Sequence, residues 1–324
     1  GVEWMRARME LPAYAPTRPV DGILTVSLSG RAPERVAKGE RLVPGSELLA
    51  LLNAPRYRHA VLSPEAFHFH PLNFMRLLAA ECRSAGALLL QGAPLRGRGR
   101  AGSTFRLEIA GRSSPVSARQ IILATGGYGG KAIPPLERHL LAIRTYIGVT
   151  DPMPEVLDQH IRTGWAVGDT RRAGNYYRRL HDGRLLWGMG ITAFGTLRVG
   201  AVGAMVARDI ASVYPSLAAD MRAAGKALAY AWAGNMAYAP HFLPYVGEIS
   251  PGVFALTGFG GHGMNTAPVA AMALADHLSG RNPEALAPFE AIPMRRSFGS
   301  AGRLAAEGAY RALRLADWAA ERMV

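Results

Sequence analysis

A mixed α/β fold (α+β) is predicted by three features of this 324-residue chain. Helical and strand signals alternate along it. Two short apolar runs, Ile121 to Thr125 and Val253 to Thr257, pass directly into glycines, as central strands do where they stop at a ligand crevice. His181-Asp182-Gly183 lies between strand-like runs, and Asp-Gly in that setting signals a hairpin.

The elements follow in order. Ser46 is expected to cap a short helix over Glu47 to Leu52. Pro71 opens a helix through Ala85 with Leu72, Met75, Leu78, Ala79 and Cys82 on one face, and Gly86 ends it. Ala87 to Leu90 read as a buried strand. Gln91 to Ser117 read as a β-meander, because Phe105, Leu107 and Ile109 alternate with Thr104, Arg106 and Glu108. Asn175 to Leu180 and Arg184 to Met189 form the hairpin, and Leu197 to Val213 a helix. Leu228, Tyr230 and Trp232 mark a further strand, with Trp232 as a large packing residue. After Val253 to Thr257 a helix runs from Ala267 to Leu278, and Gly302 to Met323 form an amphipathic tail. Segments 60–130 and 245–280 group as one domain, 15–58 and 131–244 as an antiparallel second, and 281–324 as a helical tail.

Composition narrows the function. A 49% hydrophobic and 19% charged chain is not disordered, and 37 glycines without a triplet period are not collagen. One cysteine forms no internal disulfide. No apolar run approaches the ~18 residues of a membrane helix. The start, GVEWMRARMEL, shows neither an initiator Met nor a leader pattern, which fits a trimmed or partial chain and a cytoplasmic location. The net charge of +13 comes mostly from arginine, scattered apart from short clusters at 171–172, 178–179 and 295–296. A nucleic-acid footprint would be a stripe, so neither nucleic acid nor membrane is the expected partner.

Gly258-Phe259-Gly260-Gly261-His262-Gly263 matches G-x-G-x-x-G between a strand and a helix. Three readings stay open. As a dinucleotide turn it would serve an NAD(P)-dependent dehydrogenase, with Asp276 as the ribose acid, but no second parallel strand follows the helix. It is also readable as a purely structural turn. As a helix start rich in glycine, it lets backbone N–H groups approach a flavin, whose N1 and C2 carbonyl gain negative charge on reduction. His68 and His70 form H-x-H with no third ligand near in sequence, so no metal site is expected.

The sequence resembles the D-amino-acid oxidase-like FAD-dependent oxidoreductases, in the branch of the γ-glutamylputrescine oxidoreductase-like amine oxidases. The resemblance rests on Gly258 to Met264 with the Ala-rich helix and Leu278-Ser-Gly280, on His70-Pro71, on Ile121 to Tyr128, on Asp169 to Gly188, on Trp232 to Ala237 and on Leu243-Pro244, in family order. It implies a three-layer β/β/α FAD-binding domain interleaved with a substrate domain. The family's strand–GxGxxG–helix unit has no counterpart in residues 1–60, so the resemblance implies an FAD domain incomplete at its N-terminus. Asn265 stands where some relatives carry a Lys, and the stretch from Trp232 to Pro244 has no Cys, which implies non-covalent FAD.

Carried over residue by residue, the resemblance assigns cofactor contact to Ala93, Pro94, Ala124, Thr125, Gly126, Gly258, Phe259, Gly260, Gly261, His262, Gly263 and Met264. It assigns catalytic or substrate-pocket roles to His262, Tyr177 and Arg178. The implied reaction is oxidation of a C–N bond in a small amine or amino acid, with hydride passing to flavin N5 and oxygen or another acceptor completing the cycle. A truncated, inactive flavoprotein is the other implied outcome. Substrate and oligomeric state stay open.

Overall fold

The computed structural model describes residues 1–322 apart from Arg31, 130–133, 173 and 196–197, with backbone alone at 134–135. The strands are β1 (Val20–Ser27), β2 (Arg41–Pro44), β3 (His59–His68), β4 (Leu95–Ala101), β5 (Thr104–Ile109), β6 (Val116–Ala118), β7 (Ile121–Leu123), β8 (Leu141–Thr150), β9 (Ala166–Asp169), β10 (Tyr176–Arg179), β11 (Leu185–Thr192), β12 (Leu228–Tyr238), β13 (Tyr245–Ser250) and β14 (Val253–Thr257). The helices are α1 (Val2–Met9), α2 (Gly45–Leu51), α3 (Pro71–Ser84), α4 (Pro134–Glu137), α5 (Pro154–His160), α6 (Val199–Val213), α7 (Pro215–Ala223), α8 (Gly263–Leu278), α9 (Ala287–Glu290) and α10 (Gly299–Ala320). The chain divides into two units, the first of Gly1–Thr17, Pro71–Ile143 and Asn235–Arg303, the second of Arg18–His70, Arg144–Gly234 and Leu304–Val324.

The first unit holds two three-stranded sheets, ordered β13-β14-β7 and β4-β5-β6. β14 pairs antiparallel with β13 and parallel with β7. Phe105 of the meander, Leu123, Tyr245, Val253 and Ala255 share one core. A second core joins Val246 and Phe254 to Ala270 and Leu274 of α8. The spacing i, i+4 puts those two α8 residues on one face.

The second unit carries an eight-stranded sheet, ordered β12-β8-β11-β10-β9-β1-β3-β2. Strand parity decides its two faces. The register aligns Leu62, Leu24, Val167, Tyr177, Trp187 and Gly148 in one cross-strand row. The five side chains of that row are buried against Val202, Val206, Ile210 and Val213 of α6 and Leu217 of α7. Gly148 is needed there, since a Cβ would sit 2.7 Å from Val206 Cγ1. The neighbouring row, Val61, Thr25, Gly168, Tyr176, Gly188 and Ile147, faces the other way.

Several expectations need correction. α2 begins at Gly45 after Pro44, with no side-chain cap from Ser46. α3 buries Phe74, which packs on Trp4 and Tyr14, while Leu72 and Met75 are exposed. Cys82 is half-buried. Ala87 to Leu90 form no strand, and Leu88 is 81% exposed. Among the described residues the run belongs to no sheet and so has no ladder to enter. Trp232 is 43% exposed rather than a core residue. α8 begins at Gly263, four residues before the expected start, and α10 at Gly299. The expected helix residue Leu197 and the tail residue Met323 lie outside the described residues.

Candidate functional site

The first unit brings two glycine turns together. β7 and β14 are parallel neighbours, with Ile121 opposite Val253 and Leu123 opposite Ala255. Both therefore end on the same edge, where open α/β sheets bind ligands. β7 runs into a single 3-10 turn over Gly126–Tyr128, and β14 into another over Gly260–His262. Gly126 (φ 54°), Gly258 (φ 82°) and Gly260 (φ 57°) adopt left-handed backbone that glycine enters without a Cβ penalty.

The end of β12 holds both turns. A Cβ on Gly127 would sit 2.9 Å from Asn235 Cβ, and one on Gly260 would sit 2.5 Å from the Tyr238 ring. The Asn235 N–H donates to Tyr128 Oη at 2.8 Å, and the Gly261 N–H donates to Tyr238 Oη at 3.1 Å. A cavity of about 240 Å3 adjoins the first turn, lined by Thr125, Gly126, Gly129, Glu137, Leu140 and Ala237. Leu140 also packs near Gly258, 3.3 Å from where its Cβ would be.

Polar groups are left over here. Among the described residues Thr125 Oγ1 and Asn235 Oδ1 are buried with no hydrogen-bond partner. Such orphans are rare and call for a ligand or water. α8 starts at Gly263 with no side-chain cap on the N–H groups of its first turn, the end of a helix that favours an electron-rich group. The dinucleotide reading loses its second strand, because a 3-10 turn and α9 follow α8. Asp276 lies in the last turn of α8 and pairs with Arg281 at 2.6 Å. Gly97, Gly99 and Gly102 match the same spacing, but they lie in the β4–β5 hairpin with no helix behind them.

Ala124, Thr125 and Gly126 lie at the end of β7, and Gly258 to Met264 form the second turn and the start of α8. Among the described residues the His262 ring makes no hydrogen bond, while its N–H donates to the Phe259 carbonyl and its own carbonyl accepts from Thr266 Oγ1. Ala93 and Pro94 precede β4, and the Pro94 carbonyl accepts from the Ala110 N–H. Asn235, Tyr238 and Glu137 were not singled out from sequence. Tyr238 was findable as the residue that ends the Trp232-to-Ala237 strand; nothing in the sequence marks Glu137.

Tyr177 and Arg178 belong to the second unit. Tyr177, expected on a pocket wall, is instead core. Its ring stacks on Trp187 at 4.4 Å, and its hydroxyl bonds those of Tyr57 (3.3 Å) and Tyr214 (2.7 Å). Burial drives its pKa well up, so it stays a neutral phenol. Tyr176 is the residue on the open face with Arg178. Its ring lies over Gly188, where a Cβ would come within 2.0 Å of the ring. Residues i and i+2 share a face, so pairing Tyr176 with Arg178 was legible from spacing alone.

Arg178 Nη1 donates to His68 Nδ1 at 2.8 Å, while His68 Nε2 lies 2.9 Å from the Gly164 carbonyl. These contacts require a neutral ring carrying its proton on Nε2. Burial lowers the His68 pKa, with Arg178 and His181 adding to the fall and the Gly164 carbonyl opposing it. Burial also lowers Arg178. Below about pH 6.5 the unfolded chain therefore takes a proton at His68 before the folded one does. Stability is full above that pH and falls as the medium becomes more acid. The pH dependence of Tm between neutral and mildly acid buffer should flatten in His68→Gln; an unchanged slope would contradict the assignment.

A family model described as FAD dependent oxidoreductase (DAO) matches residues 3–277. The chain is 29% identical over 241 residues to a probable oxidoreductase OrdL of Rhizobium meliloti, covering 74% of this chain and 53% of that protein. It is 26% identical over 247 residues to the γ-glutamylputrescine oxidoreductase of Escherichia coli, covering 73% and 56%. The chain thus spans about half the length of the curated relatives it matches. Glycine oxidase from Geobacillus kaustophilus has the same fold, with a TM-score of 0.68, 19% identity, and cover of 89% of this chain and 78% of that one.

Proposed function

The chain belongs to the FAD-dependent oxidoreductases of the DAO family, and from that membership we propose that it serves flavin-dependent oxidation of a C–N bond in an amine or amino acid. One observation carries the reading: two glycine turns at the ends of adjacent parallel strands, pinned to Asn235 and Tyr238, with two buried polar atoms beside them that have no partner among the described residues. The residues present fit the flavin end of FAD. The glycines leave room that side chains would fill, and Thr125 Oγ1 and Asn235 Oδ1 offer a donor and an acceptor.

In this proposal Thr125, Gly126 and the turn from Gly258 to Met264 hold the ring system non-covalently, and Ala93 and Pro94 contact the adenine side. FAD supplies, when bound, a hydride acceptor for the carbon beside a neutral amine nitrogen. The uncapped N–H groups at the start of α8 stabilise negative charge developing on the pyrimidine edge. His262 adds a ring N–H donor at that edge. Arg178, which shares the open face of the second unit's sheet with Tyr176, is that unit's candidate for substrate contact, and Tyr177 supports the strand from the core. The oxidised product is an imine, which water hydrolyses. The diphosphate cradle is assigned to the part of the relatives' length that the match leaves uncovered.

The test is spectroscopic. The protein expressed from its full coding sequence should purify yellow. Under anaerobic conditions it should bleach with one member of a panel of putrescine, γ-glutamylputrescine, glycine and proline. A colourless protein, or flavin that no amine reduces, refutes the proposal.

A further inference from the structure

The C-terminal helix α10 is amphipathic in an inverted sense. None of its residues is buried. Every acidic residue between 299 and 322 turns toward its own unit: Glu307 accepts from the Ala193 N–H at 3.0 Å, Asp317 binds Arg172 at 3.2 Å, and Glu321 binds Arg56 at 3.1 Å. The side chains of these three are 20%, 14% and 18% exposed. Three of its large apolar residues point the other way, with Leu304 65%, Leu315 68% and Trp318 55% exposed. Leu304, Arg311, Leu315, Trp318 and Arg322 follow spacings of seven, four, three and four, which keeps them in one strip along the helix. Ala305, Ala309, Ala312 and Ala316 are exposed too, as are Arg311, Arg314 and Arg322.

We propose that this strip docks on an anionic lipid surface, holding the protein peripherally on a membrane. Charge selects the occupant. Arg311 shares Glu307 at 3.2 Å, and the outward face otherwise offers arginine without a carboxylate, so a second copy of the helix would set arginine against arginine. Anionic headgroups complement it, and the chain's net charge of +13 adds long-range attraction. Shape agrees: Leu304, Leu315 and Trp318 form an apolar strip about 21 Å long at the helical rise. Leucine and tryptophan beside arginine is the pattern of a helix lying in the interface rather than crossing it. Arg322 stacks on Trp318 with its guanidinium carbon 3.6 Å from the ring centroid, which keeps the ring outward. No described helix is long and apolar enough to span a membrane, so the contact is parallel to the surface.

The full chain should co-sediment with vesicles of phosphatidylcholine and phosphatidylserine, and much less with phosphatidylcholine alone or at high salt. Leu315→Gln with Trp318→Gln should lower that binding more than tenfold. Arg311→Gln and Arg322→Gln should each lower it about fivefold. Arg281→Gln, an exposed arginine of the other unit, should leave it unchanged. Both arginine variants leave Leu315 and Trp318 in place and keep the test valid if the double variant unfolds, although Arg322→Gln also removes the stack on Trp318. Failure to bind phosphatidylserine vesicles, equal binding by all variants, or a self-association lost in the Leu315/Trp318 variant would each overturn the proposal.

Discussion

Trp187→Ala should lower the unfolding free energy by about 3–5 kcal/mol, the range for emptying a buried large aromatic site. Whole-domain stability is only about 5–15 kcal/mol, so this is a large share of it. Trp187 is fully buried, stacks on Tyr177 and meets Tyr214 edge-on at 6.1 Å. Its Nε1–H donates to Asp209 at 2.7 Å. Burial raises the Asp209 pKa, and the indole N–H is among the groups that hold it down. The substitution therefore opens a cavity and also strips a buried carboxyl of its donor. Urea denaturation checks it, with Trp232→Ala as the comparison. Trp232 is part of the second unit's sheet but exposed, and its loss should shift stability by no more than about 0.5 kcal/mol. Equal shifts for the two would mean that the stacked row contributes nothing special.

Gly260→Val should abolish flavin retention. The new Cβ would sit 2.5 Å from Tyr238 Cε1, and φ at Gly260 is 57°. Left-handed backbone costs an ordinary residue about 1–2 kcal/mol, and a β-branched one more. The turn must move, and with it the Gly261 N–H bond to Tyr238 and the start of α8. Gly280→Ala separates strain from site damage. Gly280 has φ 73°, and a Cβ there would meet nothing within 4 Å. That variant should lose a comparable amount of backbone stability yet keep its flavin. Absorbance of the desalted proteins reads the result, and equal flavin content in both variants would remove the turn from the site.

Most elements were legible in the sequence for reasons of period. The alternation at Phe105, Leu107 and Ile109 marked the meander, and Asp182-Gly183 marked the hairpin between β10 and β11. What stayed illegible depends on partners. Ala87 to Leu90 look like a buried strand because nothing in four apolar residues states whether a neighbouring strand exists. Met75 looks like core because helical periodicity locates an apolar stripe without saying what covers it. Tyr177 was misplaced by one residue, and in a strand one residue is the whole difference between inside and outside. For the candidate site, both glycine turns were visible at strand ends. That they share the short segment from Asn235 to Tyr238 was not, since the contact is a fact of tertiary packing.

The pairing of Ile121 with Val253 has a kinetic consequence. These parallel neighbours are separated in the chain by all of the strands β8 to β13. Ordering such distant partners is entropically late, because intervening chain must be confined before any ladder bond rewards the encounter. On a ribosome the crevice cannot close until residue 257 has emerged, by which time the thirteen preceding strands are already out. Maturation of the binding edge is thus tied to the synthesis of β14, and a nascent chain halted before it carries one turn with no counterpart.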